Sequence, residues 1–427
     1  MEEEITMNLK MKQMRLNSMA YPPTHTYDLA TNKPTGQLKK RVDIMSEHFP
    51  KFFQSCRRFL DIGCNKGFFS NLFTLLTNEI YGIDNRKEYI DLCKDLSEIP
   101  HFEQISFRDM CIEKQVDRIF IGNVMHYMFV DNRGTHDWIA KLAAISNGLV
   151  LFEGPIDSIQ CTDVQYVFQE HPEYKQAFNH TSFYTYLEPF FEIVHAVPSI
   201  LESPGRYIML LRKKPTEMDH IYPLKQFVVR KEIKKTDQGR VFISELNGHD
   251  CIVKTYRCFS NAEKMTMHIA ALSPWTSSSI GSVVREDGSF IGWAEPIYEP
   301  VTPLADPWPE LWEAHCKHQL WLIRQGYIDT DIAVANMGRT HGASTQIITL
   351  DKNGVIPILA LTQGHANMYF HYMKENFFNR LETSEPIKML KDAWNPCHLE
   401  SGHTKTFYRD SLEQAYIDLS ILGKQDL

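Results

Sequence analysis

Short apolar runs alternate with amphipathic stretches through residues 41–214. Four of these runs have the length of a strand and carry an acid or amide at or near their end: residues 59–62, 80–84, 119–124 and 148–153. Such runs, separated by helix-length stretches, predict buried parallel strands. We therefore predict a doubly wound, Rossmann-like α/β domain, closed by an antiparallel pair at residues 191–194 and 207–211.

Two stretches between these strands predict helices. Residues 138–145 have an amphipathic pattern, and residues 162–170 predict a second helix. Proline cannot donate a backbone hydrogen bond, so Pro172 is expected to end or kink that second helix.

The pattern changes after the charged, proline-containing segment 212–216. Three β-rich runs follow, with turn signals at 237–239 and 247–248 between them: residues 226–233, 239–246 and 250–256. An amphipathic helix is predicted over residues 311–324. We predict an N-terminal arm at 1–40, the α/β domain at 41–214, and an α+β domain at 215–427.

The first strand leads into a glycine-bearing turn, and the next strand ends in Asp84. Asp84 is placed to accept hydrogen bonds from the hydroxyls of a ribose, which suits both NAD and S-adenosylmethionine. An NAD site requires Gly-x-Gly-x-x-Gly, but Asn65 stands where the second glycine would admit the pyrophosphate. A carboxylate at Asp61 favours the cationic end of S-adenosylmethionine instead.

Residues 61–68 resemble the first motif of class I S-adenosylmethionine-dependent methyltransferases. The resemblance implies a ribose-binding role for Asp84, an adenine contact for Asp109, and a loop facing the methyl group around Asn123 and His126. The residues assigned to donor binding are Asp61, Gly63, Asn65, Gly67, Phe68, Asp84, Asp109 and Asn123. His126 is the candidate catalytic residue: it would act as a base for an amine or hydroxyl acceptor, whereas a phosphate acceptor needs no strong base.

The α+β half places chemical groups in the order of a protein-kinase-like phosphotransferase: strand lysine, long helix, Asp-x-x-x-x-Asn loop, strand-end aspartate. Lys254 would neutralise the phosphates of ATP, and Asp331 would orient and deprotonate the attacking hydroxyl. Asn336 and Asp351 would hold Mg²⁺ through the hard oxygen ligands that it prefers.

This half also departs from the kinase pattern. No Gly-x-Gly-x-x-Gly loop is present, Asp329 replaces the histidine before Asp331, and Lys352 follows the metal-binding acid in place of phenylalanine. Glu263 is the candidate partner of Lys254. The half is therefore either an atypical kinase or a non-catalytic binding module.

Together, the two halves resemble the bifunctional kinase–methyltransferases that terminate O-antigen polysaccharide chains in Gram-negative bacteria. This resemblance implies phosphorylation of a glycan or small-molecule hydroxyl, followed by methylation of the phosphate. The first loop also resembles that of RNA 5′-phosphate methyltransferases, which again implies a phosphate acceptor. The alternative is a small-molecule or glycan methyltransferase whose second half only binds.

Composition narrows the remaining possibilities. The chain has 427 residues, of which 43% are hydrophobic, and a formal net charge of −8, which gives no general attraction to nucleic acid. Its nine cysteines lack a Cys-x-x-Cys pair, so neither disulfides nor structural zinc are expected. Because neither a bilayer-length apolar run nor a signal-peptide profile occurs, we expect a cytoplasmic protein. The sequence leaves the oligomeric state open.

Overall fold

The computed structural model describes residues 12–13, 27–28, 33–110, 115–199, 205–216, 219–237, 239–257, 261–301, 308–331, 336–340, 346–350, 352, 354–376, 385–395 and 405–425. The chain divides into two compact units: the first ends at Lys214 and the second begins at Pro215. No helix in these ranges is both long and apolar enough to cross a bilayer.

The first unit is built on a seven-stranded sheet with the strand order β5-β4-β3-β6-β7-β9-β8. A small hairpin, β1 (Tyr27–Asp28) and β2 (Lys33–Pro34), precedes it. The strands of the sheet are β3 (Arg58–Ile62), β4 (Glu79–Asp84), β5 (His101–Gln104), β6 (Val116–Gly122), β7 (Ser146–Pro155), β8 (Phe191–Pro198) and β9 (Arg206–Lys213). Strands β3 to β7 are parallel, and β8 and β9 form the antiparallel pair.

This topology confirms the doubly wound prediction. The chain lays β4 and β5 on one side of β3, then returns to lay β6 and β7 on the other. The order therefore reverses between β3 and β6, and ligands of doubly wound sheets bind at the carboxyl ends of strands at such a switch point.

Helices cover the sheet, and aromatic side chains fill the space between the layers. The helices are α1 (Gly36–His48), α2 (Phe68–Leu72), α3 (Lys87–Leu96), α4 (Met125–Asp131), α5 (Trp138–Ile145), α6 (Pro172–Ala177) and α7 (His180–Leu187). Phe59 and Phe73 stack with ring centroids 3.6 Å apart in this core.

Two details differ from the sequence prediction. Helix α5 has the predicted bounds, but all eight of its residues are buried, so it has no solvent face. Residues Thr162–Phe168 form a 3-10 helix, and Pro172 begins α6 rather than ending a helix. Proline fits there because the first turn of a helix leaves its N–H groups without intrahelical partners.

The second unit opens with a six-stranded sheet in the order β10-β14-β15-β13-β12-β11. Its strands are β10 (Ile221–Pro223), β11 (Val228–Lys235), β12 (Gly239–Leu246), β13 (His249–Tyr256), β14 (Gly281–Val284) and β15 (Phe290–Glu295). The predicted antiparallel succession β11-β12-β13 is confirmed. Asn247 and Gly248 both adopt positive φ between β12 and β13, as a two-residue hairpin turn requires.

The remainder of this unit is mainly helical. Its helices are α8 (Asn261–Ala271), α9 (Trp308–Arg324), α10 (Gln363–Asn376), α11 (Glu385–Ala393) and α12 (Lys405–Gln425). Short strands lie between them: β16 (Glu299–Pro300), β17 (Tyr327–Asp329), β18 (Met337–Arg339), β19 (Ile347–Thr349) and β20 (Val355–Pro357). A sheet with one helix between its fourth and fifth strands in chain order, followed by a helical part, confirms the α+β, protein-kinase-like fold class.

Candidate active sites

The loop after β3 has a conformation that its residues make possible. Gly63 and Gly67 have φ of 72° and 74°, and Asn65 has φ of 49°. Glycine adopts this left-handed region without steric cost, and asparagine tolerates it better than most residues. The backbone N–H groups of Gly63 and Cys64 donate to the carbonyl of Ile83, at 2.8 and 2.9 Å, and so fix the loop to the end of β4.

The close neighbours of both glycines are protein side chains. A Cβ at Gly63 would lie 2.3 Å from Val124 Cγ1, and one at Gly67 would lie 3.0 Å from Cys93 Sγ. Both glycines belong to the residues that the sequence assigns to donor binding. Packing against Val124 and Cys93 is an additional reason for glycine at these positions, which becomes visible only in the fold.

Asp84 stands at the tip of β4 beside this loop. Its Oδ2 accepts from the backbone N–H of Asn65 at 3.0 Å, and its Oδ1 accepts from that of Arg86 at 2.9 Å. Burial raises the pKa of Asp84, against the opposing effect of these two hydrogen bonds. Each oxygen keeps a further lone pair, so the carboxylate can accept hydrogen bonds from two hydroxyls of a ribose.

Asp61 lies within β3 and is 1% exposed. Its Oδ2 accepts from the backbone N–H of Ser70 at 3.1 Å and from Ser70 Oγ at 2.8 Å, which ties the carboxyl to helix α2. Burial raises the pKa of Asp61 to about 7. Contact of this carboxyl with a cationic donor stays a prediction, because its hydrogen bonds are made within the unit.

The other predicted donor-site residues lie around the same strand ends. Asn123 follows β6 with φ of 65°, and its Oδ1 accepts a short hydrogen bond from the guanidinium of Arg206. Asp109 lies in the turn after β5 and accepts from Ser106 Oγ at 2.8 Å. Phe68 is buried at the start of α2, edge-on to Tyr27 with ring centroids 5.2 Å apart.

His126 lies in α4, the helix that follows Asn123, and is 2% exposed. Its ring packs against Tyr127, 4.3 Å between centroids, and Tyr127 is 42% exposed. Tyr127 Oη lies 2.6 Å from Tyr166 Oη. A buried histidine and an exposed tyrosine therefore follow shortly after the end of β6, and Tyr166 of the 3-10 helix contacts that tyrosine.

The second unit brings Lys254, Asn336 and Asp331 together through Leu350. Lys254 Nζ donates to the carbonyl of Leu350 at 2.6 Å, and the N–H of Leu350 donates to the carbonyl of Asn336 at 2.6 Å. Asn336 Nδ2 donates to the carbonyl of Asp331 at 3.4 Å. Asp351 lies outside the described residues, but it is the next residue after Leu350 in the chain.

Asp329 replaces the expected histidine and has a definite structural role. Its Oδ1 accepts from the backbone N–H of Asp331 at 3.0 Å, and its Oδ2 lies 3.3 Å from His318 Nε2 on α9. Asp329 is 1% exposed. This buried Asp–His pair positions the backbone of Asp331.

Residues 60–143 match the family described as "Methyltransferase domain". The first unit carries a methyltransferase domain. Every residue that the sequence predicted for donor binding in this unit lies within the matched segment, and the match supports S-adenosylmethionine as the methyl donor.

Solved structures resemble the chain at low identity. The bifunctional kinase-methyltransferase WbdD is 15% identical with a TM-score of 0.33, covering 95% of this chain and 95% of that chain. The N-methyltransferase NodS from Bradyrhizobium japonicum WM9 is 13% identical with a TM-score of 0.33, covering 42% of this chain and 96% of that chain. At these scores the resemblances carry no argument about activity. Comparison with curated proteins gives no match.

Two features of the methyltransferase unit were missed in the sequence. Arg41 on α1 and Glu153 in β7 form a buried ion pair, with Arg41 Nε 2.8 Å from Glu153 Oε2. Tyr27, in the predicted arm, is 1% exposed and donates from its hydroxyl to the carbonyl of Lys66 at 3.0 Å. Glu153 ends an apolar run, and this pattern could have identified it as a buried acid. No local pattern identifies Arg41 or Tyr27 as buried.

Replacing Gly63 with alanine is expected to lower the free energy of unfolding of the methyltransferase unit by about 2 to 4 kcal/mol. The added Cβ would collide with Val124, and alanine is disfavoured at φ +72°. Gly36→Ala is the matched control, because Gly36 has φ +55° but, apart from its chain neighbours, no atom of the described residues lies within 4 Å of its Cβ position. Urea unfolding of both variants measures the difference, and equal losses would contradict the role given to Val124.

Asp61 is expected to make the methyltransferase unit less stable as the pH rises. Burial raises the pKa of Asp61 from 3.8 to about 7, so the folded state binds the proton more tightly than the unfolded state. The stabilisation is complete below the unfolded pKa and disappears as the pH rises to about 7. Unfolding titrations between these limits should show a shallower decline for Asp61→Asn. An identical decline in the parent and the variant would refute the assignment.

Proposed function

We propose that this chain is bifunctional: its second unit phosphorylates a glycan or small-molecule hydroxyl, and its methyltransferase unit methylates the resulting phosphate. The observation that carries the proposal is the run of hydrogen bonds linking Lys254, Leu350, Asn336 and Asp331. These bonds hold Lys254, Asn336 and the backbone of Asp331 near the end of β19, next to Asp351 in the chain, which supports assigning them to one phosphate- and metal-binding site.

These residues fit ATP and Mg²⁺. Lys254 would bind the non-transferred phosphates, while Asn336 and Asp351 would hold the metal, which neutralises charge on the phosphate oxygens when bound. Asp331 accepts the proton of the attacking hydroxyl. Asp329 fixes the backbone N–H of Asp331, so only the side chain of Asp331 has to be ordered when the acceptor arrives.

The methyltransferase site fits a phosphate acceptor. A phosphate monoester is nucleophilic at neutral pH, so its oxygen can attack the methyl carbon while the sulfur–carbon bond breaks, without a strong base. The site then has to hold the attacking phosphate oxygen in line with the sulfur–carbon bond that breaks, and this needs hydrogen-bond donors to the phosphate. Arg206, which is 6% exposed and donates to Asn123 near the end of β6, and His126 are the groups we assign to this task.

The alternative function is methyl transfer alone, with the second unit as a binding module. One observation favours it: the ammonium of Lys254 donates to the Leu350 carbonyl at 2.6 Å, so a nucleotide phosphate has to displace or share this hydrogen bond. Under this alternative the acceptor is methylated without ATP.

Calorimetry on the full chain tests the two sites separately. S-adenosylhomocysteine and magnesium–ATP are each expected to bind once, with Asp84→Ala weakening only the first and Lys254→Ala only the second. Asp250→Asn, an exposed change in the same strand as Lys254, is the control. Binding of S-adenosylhomocysteine together with no binding or turnover of ATP, with any acceptor, would replace the proposal by the alternative.

A further inference from the structure

We propose that Glu295 is the positioning residue for Lys254. The phosphate-binding lysine is then held in place by a residue of its own sheet. The inference rests on the phosphotransfer proposed above and identifies what holds its lysine in place. In the protein kinases that the unit resembles, a glutamate of the helix after the third strand has this role. The side chain of Glu263, on the corresponding helix α8, lies outside the described part of the chain.

Strand register brings the two residues together. Lys254 pairs with Trp293, and Ile252 pairs with Glu295, in the antiparallel ladder of β13 and β15. Residues two apart on a strand point to the same face, and so do residues directly opposite each other. Lys254, Trp293 and Glu295 therefore share one face of the sheet, and Lys254 Nζ lies 3.0 Å from Glu295 Oε1.

The second carboxylate oxygen of Glu295 is also fully used. Its Oε2 accepts from Ser277 Oγ at 2.9 Å and from Trp293 Nε1 at 3.0 Å, and lies 3.4 Å from Lys352 Nζ. Glu295 is 2% exposed. A buried carboxylate with this many donors has a fixed position, and a fixed carboxylate fixes the ammonium that it contacts.

Lys352 is a second buried lysine beside Glu295. It is 0% exposed, and its Nζ donates to Ser277 Oγ at 2.6 Å. Burial by itself raises the pKa of Glu295, but Lys254 and Lys352 outweigh it, and the pKa of Glu295 is lowered. The carboxylate is thereby held ionised between two lysines.

Lys254 and Lys352 are also both linked to the segment that carries Asp351, the proposed metal-binding acid. Lys254 bonds to the carbonyl of Leu350, and Lys352 follows Asp351 directly. Glu295 therefore joins the strand lysine to the start of this segment. The departure at Lys352, where protein kinases carry phenylalanine, has a positive role under this assignment.

The test compares Glu295→Gln with the parent full chain and with Glu286→Gln, an exposed glutamate of the same unit. Titration with magnesium–ATP is expected to show binding weakened by about 10- to 100-fold in Glu295→Gln only, the range of one charge-assisted hydrogen bond. Glu295→Asp keeps the charge but shortens the side chain, so its affinity for magnesium–ATP should lie between those of the parent and Glu295→Gln. It replaces Glu295→Gln in the test if that variant does not fold.

A second readout separates this inference from the proposed activity. The rate of Lys254 acylation by acetic anhydride, followed by peptide mass spectrometry, is expected to rise at least about tenfold in Glu295→Gln, because the lost carboxylate no longer favours the unreactive ammonium form of the lysine over the amine. The acylation rate tests the role of Glu295 even if the parent protein neither binds nor hydrolyses ATP. Absence of ATP binding and hydrolysis would refute only the proposed phosphotransfer. Unchanged acylation in Glu295→Gln would overturn the role of Glu295. A loss of magnesium–ATP affinity in Glu263→Gln but not in Glu295→Gln would overturn it as well.

Discussion

Asp331→Asn is expected to lower the rate of phosphoryl transfer from magnesium–ATP by about 10²- to 10⁴-fold, the range that a general base contributes. Asparagine keeps the shape of the side chain but cannot take the proton of the attacking hydroxyl. The backbone of Asp331 is held by Asp329 Oδ1 at 3.0 Å, so the substitution should leave the loop in place. Affinity for magnesium–ATP should therefore change little.

The measurement is the transfer of labelled phosphate to a panel of oligosaccharides, with the full chain as enzyme. Asp250→Asn is the matched control, since its side chain is 59% exposed on β13. Binding of S-adenosylhomocysteine to Asp331→Asn reports on folding of the other unit. A variant that retains more than about a tenth of the parental rate would contradict the assignment of Asp331 as the base.

Glu153→Gln is expected to lower the free energy of unfolding of the methyltransferase unit by about 3 to 5 kcal/mol. Arg41 and Glu153 are 1% and 0% exposed, and Arg41 Nε lies 3.1 and 2.8 Å from the two carboxylate oxygens. Removing the carboxylate leaves a buried guanidinium without its counter-charge. Ser199 Oγ, which donates to Glu153 Oε1 at 3.1 Å, loses a charged acceptor as well.

Scanning calorimetry can follow this loss through the transition that S-adenosylhomocysteine shifts upward. Glu192→Gln is the control, because its pair with Arg212 spans 3.2 Å between side chains that are about half exposed. That change should cost less than about 1 kcal/mol. The double replacement of Arg41 by methionine and Glu153 by leucine should recover most of the stability, because apolar side chains carry no desolvation cost. Equal losses at Glu153 and Glu192 would contradict the account.

The strands and the glycine loop that carry the predicted donor site were predictable from sequence because these parts are local. Strand, loop and acid recur within a few residues around Asp61, Gly63 and Asp84, and parallel strands bring their carboxyl ends to one edge of the sheet. The antiparallel closing pair and the succession β11-β12-β13 were predictable for the same reason: period-two patterns and turn residues mark them directly.

Pairings between distant residues could not be predicted. Arg41 and Glu153 are separated by 112 positions, and nothing near Arg41 marks it as buried. Glu295 was missed as the partner of Lys254 because register, rather than local pattern, places it there. Pro172 was misjudged because a proline at the start of a helix and one at its end look alike in a single sequence.

The central claim is that the methyltransferase unit acts on a phosphate made by the second unit. The direct test supplies the full chain with Mg²⁺, isotopically labelled S-adenosylmethionine and an oligosaccharide panel, with and without ATP, and follows the acceptors by mass spectrometry. We predict that label appears only on phosphorylated acceptors, only with ATP, and not with Asp331→Asn unless a phosphorylated acceptor is added. Methyl transfer to unphosphorylated acceptors at the same rate without ATP would contradict the account.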